Sequence, residues 1–242
     1  MKLVNDEGLV NTNIGNFNFS CIRADKLGAT EYTLVTIVTD KTGSVSSFAN
    51  ELRKMKVAVV DSCQKSPRAE FLMLRSVEFN GAVTEEHGFT ELKNIDTKNY
   101  PTPNCSGMTA LYDAAYWSLV ATNEYAKTLT SQDFNVNAVV FIITDGVDND
   151  SSATVKMVAE ELKRGVNSEF LESINTVLIG VNDVDCKLNL EKFQREAGLT
   201  QYVSVPDATP STLAKLADFV SRSISSQSQS LGTGGASQAL TF

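Results

Sequence analysis

No apolar run in the chain approaches the roughly 18 residues that a membrane-spanning helix needs. The first residues, MKLVNDEGLVNTN, also lack the apolar core of a secretory signal. Both gaps predict a protein of the cytoplasm, or of a particle assembled there. Cysteine is sparse. Cys21, Cys63, Cys105 and Cys186 are scattered with no CxxC pair, which argues for free thiols and against a disulfide framework or zinc. In that setting the triplets Asn104-Cys105-Ser106 and Asn149-Asp150-Ser151 mean little as glycan acceptors. Histidine occurs once, as His87 in TEEHG, and reads as a surface residue. With no partner for it, a Ser-His-Asp hydrolase is disfavoured. GxxxxGKS/T and GxGxxG are both missing, so no nucleotide-binding loop is indicated. There is no internal repeat.

Acid is in excess. Asp and Glu number 29 against 21 Lys and Arg, a net charge of −8. That balance argues against nucleic acid or an anionic membrane as the main partner and is compatible with a cation site made of carboxylates. At 242 residues, 42% hydrophobic, the chain suits one large domain or one domain with extensions.

The most informative stretch is TLVTIVTDKTGS, Thr33 to Ser44. It reads as a buried strand that stops on Asp40. Residues 1–30 are an Asn- and Gly-rich extension, with an edge strand or hairpin expected around Phe17 to Ile22. Phe48, Leu52, Met55 and Val59 form one stripe of a helix that Ser44 or Ser46 would cap. Ala69 to Asn80 reads as a strand. Gly81 to Gly88 would turn it into a half-exposed edge strand over Phe89 to Ile95. A helix opens at Thr109 after a loop rich in turn formers. Val136 to Thr144 is the most apolar strand and also stops on an acid, Asp145. A helix marked by Val155, Val158 and Leu162, a strand over Ile174 to Val181 and a short helix ending at Gly198 follow. A last strand, Tyr202 to Val205, precedes a helix from Thr209-Pro210 to Ser225. Residues 226–242, rich in Ser, Gln and Gly, read as a flexible tail. Strands alternating with helices over 31–225 predict an α/β fold: a doubly wound, mostly parallel sheet with one antiparallel edge strand and helices on both faces.

If the strands ending on Asp40 and Asp145 are neighbours, two carboxylates meet at the carboxyl edge of the sheet, where open α/β folds bind ligands. They repel unless a cation lies between them. Thr42, Ser44 and Thr109 add three hydroxyls. Such an all-oxygen set suits Mg²⁺, Mn²⁺ or Ca²⁺. The segments Asp40-Lys41-Thr42-Gly43-Ser44, Ser106-Gly107-Met108-Thr109 and Ile143-Thr144-Asp145-Gly146 resemble, in order and context, the metal-ion-dependent adhesion site (MIDAS) of von Willebrand factor A (vWA) domains, as found in small stand-alone bacterial and phage members. Thr42 departs from the usual Ser but keeps the hydroxyl. Met108 stands where many members have Gly. The resemblance implies direct metal ligation by Thr42 and Ser44, water-mediated roles for Asp40 and Asp145, and state-dependent ligation by Thr109. It also implies a coordination position left open for an Asp or Glu of a partner protein, and a final helix that is a candidate moving part. Lys41, read as pointing to solvent, would help attract that acid.

Taken singly, Asp40, Asp145 and Thr109 are better read as helix-terminal groups, and it is their joint pattern that favours a metal site. Asp148 and Asp150 fit no EF-hand loop and read as a solvated acidic loop. Arg53, Lys54 and Lys56 read as a solvated face, and Tyr116 and Trp117 as packing residues. The leading expectation is a non-enzymatic, cation-dependent protein-binding module. A structural subunit of a larger bacterial or phage assembly, self-associating through its two ends, is the alternative. A metal-dependent hydrolase or phosphotransferase using Asp40 ranks last.

Overall fold

The computed structural model describes residues 2–5 and 7–242. A hairpin of β1 (Leu9–Ile14) and β2 (Phe17–Ile22) precedes β3 (Glu31–Asp40). After it come α1 (Ala49–Gln64), β4 (Leu72–Phe79), β5 (Val83–Glu91), α2 (Leu111–Thr130) and β6 (Asn135–Thr144). The chain closes with α3 (Val155–Asn167), β7 (Ile174–Val181), α4 (Lys187–Ala197), β8 (Gln201–Val205) and α5 (Pro210–Thr233). The strands form one sheet in the order β1-β2-β5-β4-β3-β6-β7-β8. The run from β4 to β8 is parallel throughout, whereas β4–β5 and β1–β2 are antiparallel. Among the described residues no helix is long and apolar enough to cross a membrane.

The central strands are apolar on both sides because both faces are covered. Val139, Phe141 and Ile143 of β6 pack with α1 and α5, while Val140 and Ile142 pack with α2, α3 and α4. This is the period-two alternation of a strand. The architecture is the doubly wound α/β fold expected, with β3 and β6 in register from Glu31↔Asn135 to Thr39↔Ile143. Asp40 and Asp145 therefore leave adjacent strands at the same edge.

Several expectations are displaced. The strand after β4 is Val83–Glu91, turned at Asn80 to Ala82, and it is not an edge: Cys21 of β2 pairs with Phe89, and Phe89 and Thr90 are fully buried. Gly88 allows that approach, since a Cβ there would lie 1.9 Å from the Ser20 carbonyl oxygen. Polar groups that looked solvated are buried as well. His87 is 4% exposed, and Lys56 is fully buried in ion pairs with Glu86 and Glu78. Arg53 donates to the Tyr100 carbonyl, and only Lys54 of the basic trio is well exposed. Trp117 stacks on Phe17 at 4.6 Å, a packing role as expected.

Helix α1 has no side-chain cap. Ser44 to Phe48 form a 3-10 turn instead, which leaves the Ser44 hydroxyl for another role. Thr209 does cap α5, accepting from Thr212 N at 3.3 Å. That helix does not stop at Ser225 but continues to Thr233. Gln227 and Ser228 are buried in it. The Gln227 side chain donates to the Ala138 carbonyl (3.1 Å) and to Ser173 Oγ (3.0 Å), and Arg68 donates to Ser228 Oγ (3.1 Å). The remaining residues also dock. Asn175 donates to Ser237 Oγ (2.8 Å), Gln201 donates to the Leu240 carbonyl (3.0 Å), and Phe242 meets Phe219 edge-on.

Candidate metal centre

Asp40 is the last residue of β3 and is 0% exposed. Its Oδ1 accepts from Thr42 N at 2.7 Å, which folds the loop back over the strand end. Its Oδ2 accepts from Thr144 Oγ1 at 2.6 Å, which ties β3 to β6. The loop then presents its hydroxyls in line. Thr42 Oγ1 lies 2.9 Å from Ser44 Oγ, and Ser44 donates to Asp145 Oδ1 at 2.7 Å. Thr42, Ser44 and Asp145 thus form one run of oxygens with Asp40 behind it.

Thr109 reaches the same edge from the loop before α2. A Cβ on Gly146 would lie 3.9 Å from its Oγ1, which sets the hydroxyl beside the Asp145 turn. Its backbone is clamped: Thr109 N donates to Asn149 Oδ1 (2.7 Å) and Asn149 N donates to the Thr109 carbonyl (2.9 Å). The loop is held over β3 and β4 by Ser106 N to the Lys41 carbonyl (3.0 Å) and Ala110 N to the Asn80 carbonyl (2.8 Å). The structure brings all five sequence-picked residues to one edge.

The electrostatics fit a cation. Burial pushes the Asp40 carboxyl up. Hydrogen bonds from Thr144 and Thr42 pull it down, and the charge of Asp145 pushes it up again. Burial also raises Asp145, against the hydrogen bond from Ser44. Each carboxylate is thus costly in its charged form without a compensating positive charge. Among the described residues no group of three or more His, Cys, Asp or Glu is placed to hold a metal. A cation at this edge would therefore rely on hydroxyls, and the donor set is all oxygen, which suits a hard divalent ion.

Some neighbours differ from the sequence reading. Lys41 does not point to solvent: it donates to Thr84 Oγ1 (2.7 Å) and lies 3.7 Å from Glu78 Oε2. Asp148 is not simply solvated. It accepts from Tyr112 N (3.1 Å) at the start of α2, while Asp113 accepts from Ala153 N (2.7 Å) in return. Thr144, Asn149 and Cys186 were not singled out as supports. Thr144 adjoins Asp145 in sequence and could have been suspected. The other two act through contacts that no local spacing signals. Cys186 Sγ donates to the Asp145 carbonyl at 3.4 Å.

No protein-family model matches the chain, and no curated protein does. Solved structures do resemble it. A point mutant of the PilB minor pilin from Streptococcus sanguinis aligns at TM-score 0.56 and 15% identity, over 88% of this chain and 65% of that one. Proximal thread matrix protein 1 from the mussel byssus, with a zinc-occupied MIDAS motif, aligns at 0.54 and 18%, over 81% and 46%. The pilus adhesin SpaC from Lactobacillus rhamnosus GG aligns at 0.57 and 11%, over 90% and 33%. The chain spans less than two thirds of the length of each of these proteins. At such identities the likeness is one of fold, and that fold is the vWA-like α/β sheet.

Proposed function

We propose that the chain is a non-enzymatic, divalent-cation-dependent module that binds an acidic side chain of a partner protein at the Asp40–Asp145 edge. The observation that carries this reading is the run Thr42–Ser44–Asp145, closed from behind by Asp40. Thr42 and Ser44 would hold Mg²⁺ (Mn²⁺ or Ca²⁺ in its place) through their hydroxyls. Asp40 and Asp145 would act largely through water, and Thr109 would contribute according to state. When bound, the cation supplies residual positive charge for an incoming carboxylate, because the residues closest to it are neutral hydroxyls. The chain's own work is positional. Asp40 fixes the loop through Thr42 N, Thr144 locks Asp40, and Asn149 sets Thr109. The matrix protein with metal in its MIDAS motif lends support by fold.

Asp40 is a poor nucleophile here, since it is fully buried and both its oxygens accept hydrogen bonds. This counts against the hydrolase or phosphotransferase reading. The test of the leading one is Mn²⁺ titration followed by electron paramagnetic resonance. Wild type is expected to bind one ion, and Asp145→Ala and Ser44→Ala to lose it while keeping the far-UV spectrum. A folded Asp145→Ala protein that binds Mn²⁺ as wild type does would falsify the assignment.

A second reading, a structural subunit of a larger assembly, draws on one observation. β1 lies at the edge of the sheet, and among the described residues no strand pairs with its outer side, which could pair with another chain. Light scattering across a concentration series is expected to show association if this edge is used. A strict monomer at every concentration would count against it.

A further inference from the structure

Large apolar side chains at the surface are common singly and mean little alone. Here their distribution is uneven. Among the described residues, three large apolar side chains are more than half exposed: Leu188 at 77%, Val184 at 74% and Met108 at 51%. All three stand at the carboxyl edge of the sheet, around the run of oxygens. Met108 immediately precedes Thr109, in the loop held over β3 and β4 by Ser106 and Ala110. Val184 and Leu188 lie on the opposite flank, in the turn after β7 and the first turn of α4. That turn is fastened to the site itself, because Cys186, between them, donates to the Asp145 carbonyl. The fold gives these side chains no internal use: the packing of α4 against the sheet is made by Leu190, Phe193 and Ala197.

We infer that Met108 on one flank and Val184 with Leu188 on the other form the apolar rim of the same binding surface. Its occupant is a protein segment whose acidic residue is bracketed, within a few residues on each side, by large apolar side chains. This inference rests on the proposed metal-dependent site. Charge complementarity and the rim together select that occupant. Asp40, Asp145, Asp148 and Asp150 make this edge acidic. A bare carboxylate is repelled from it unless the cation is present, and a purely apolar segment leaves the cation unsatisfied. A segment with both features satisfies both. Burying part of one Leu or Val side chain is worth on the order of tenfold in affinity, so the rim would decide among partners that all offer an acid.

The test uses the full chain and an array of synthetic nonapeptides with a central Asp or Glu. Flanking residues are either Leu, Phe and Met or Ser and Gly, and the array is read in Mn²⁺ and in EDTA. Apolar-flanked acidic peptides are expected to bind about tenfold or more tightly than Ser/Gly-flanked ones, and only with Mn²⁺. The double variant Val184→Ser/Leu188→Ser, and separately Met108→Ser, should shrink that preference while leaving direct Mn²⁺ affinity unchanged. Equal binding of the two peptide classes, an unchanged preference in the variants, or no peptide binding by a protein that takes up Mn²⁺ would each overturn the rim. So would apolar-flanked peptides that bind equally in EDTA. Failure of Mn²⁺ itself to bind overturns the metal site, and the rim with it, and so is told apart from failure of the rim alone.

Discussion

His87 carries its proton on Nδ1, which donates to the Gly88 carbonyl at 3.0 Å, and accepts from the Tyr100 hydroxyl on Nε2 at 2.6 Å. Burial depresses its pKa to about 4, aided by Lys56 and opposed by the Gly88 carbonyl, Glu86 and Glu85. The sign follows from linkage. The unfolded chain takes up the proton near the ordinary value of 6.5 and the folded chain only near 4, so stability is intact above about pH 6.5 and falls as the pH drops toward 4. The limiting loss is about 3 kcal/mol. Urea unfolding of wild type and His87→Gln at pH 7 and pH 4.5 should therefore converge at acid pH, with the wild type losing more. Parallel pH curves would sink the assignment. The burial of His87 and Lys56 was not legible in the sequence, and the reason is physical. Periodicity shows which face of an element is apolar. It does not show that α1 and Tyr100 pack against β5 and bury these groups between them. The meeting of Thr42, Ser44 and Asp145 at one edge was legible because it depends on short-range geometry at two strand ends. Their supports Asn149 and Cys186 reach the site through tertiary contacts that leave no local mark.

Elements were easiest to read where both faces are buried. β3, β6 and β7 appear as nearly unbroken apolar runs, and their ends fall within a residue or two of the expected ones. The end of α5 was misread for the opposite reason. Its last turns, SSQSQSLGT, are polar, yet they are held by side-chain amide and hydroxyl bonds instead of an apolar stripe. Gln227 alone joins α5 to the Ala138 carbonyl, Ser173 and Asn175, and its carbonyl accepts from Asn137 at 2.7 Å. Each buried hydrogen bond contributes about 1 kcal/mol, and orphaning its partner costs about 1–3. Ending the chain after Ser225 also strips Arg68 of its Ser228 partners. We therefore expect that truncation to cost several kcal/mol, on the order of the sum of these bonds. Ending it after Gly234 removes Ser237, Leu240 and Phe242 from partly exposed positions and the Gly235 N–H bond to the Ser230 carbonyl, and should cost distinctly less. Denaturant midpoints for the two truncations decide the matter. Equal midpoints would return residues 226–233 to the status of a loose tail.

At the scale of the whole molecule, an acidic chain invites a trivial explanation for any stabilisation by magnesium, namely screening of its net charge of −8. The proposed site makes a different demand. Asp40 and Asp145 are placed side by side by the β3–β6 register, and burial holds both carboxyls above their ordinary range. A cation there compensates two carboxylates that burial makes costly, and its effect must saturate as a single site does. A free Mg²⁺ concentration 100 times the dissociation constant adds about 2.7 kcal/mol. At roughly 2–4 °C per kcal/mol for a domain of this size, the melting temperature should rise by about 5–10 °C. Screening predicts a smaller, unsaturating rise that NaCl of equal ionic strength reproduces. Differential scanning calorimetry of wild type in Mg²⁺, in NaCl and in EDTA separates the two. The same scans on Asp145→Ala should show a higher melting temperature than wild type in EDTA, because a carboxylate that burial makes costly in its charged form is gone, and little further gain with Mg²⁺. A variant that is destabilised in EDTA yet still gains the full magnesium shift would mean that the carboxylates serve the fold and the cation acts elsewhere.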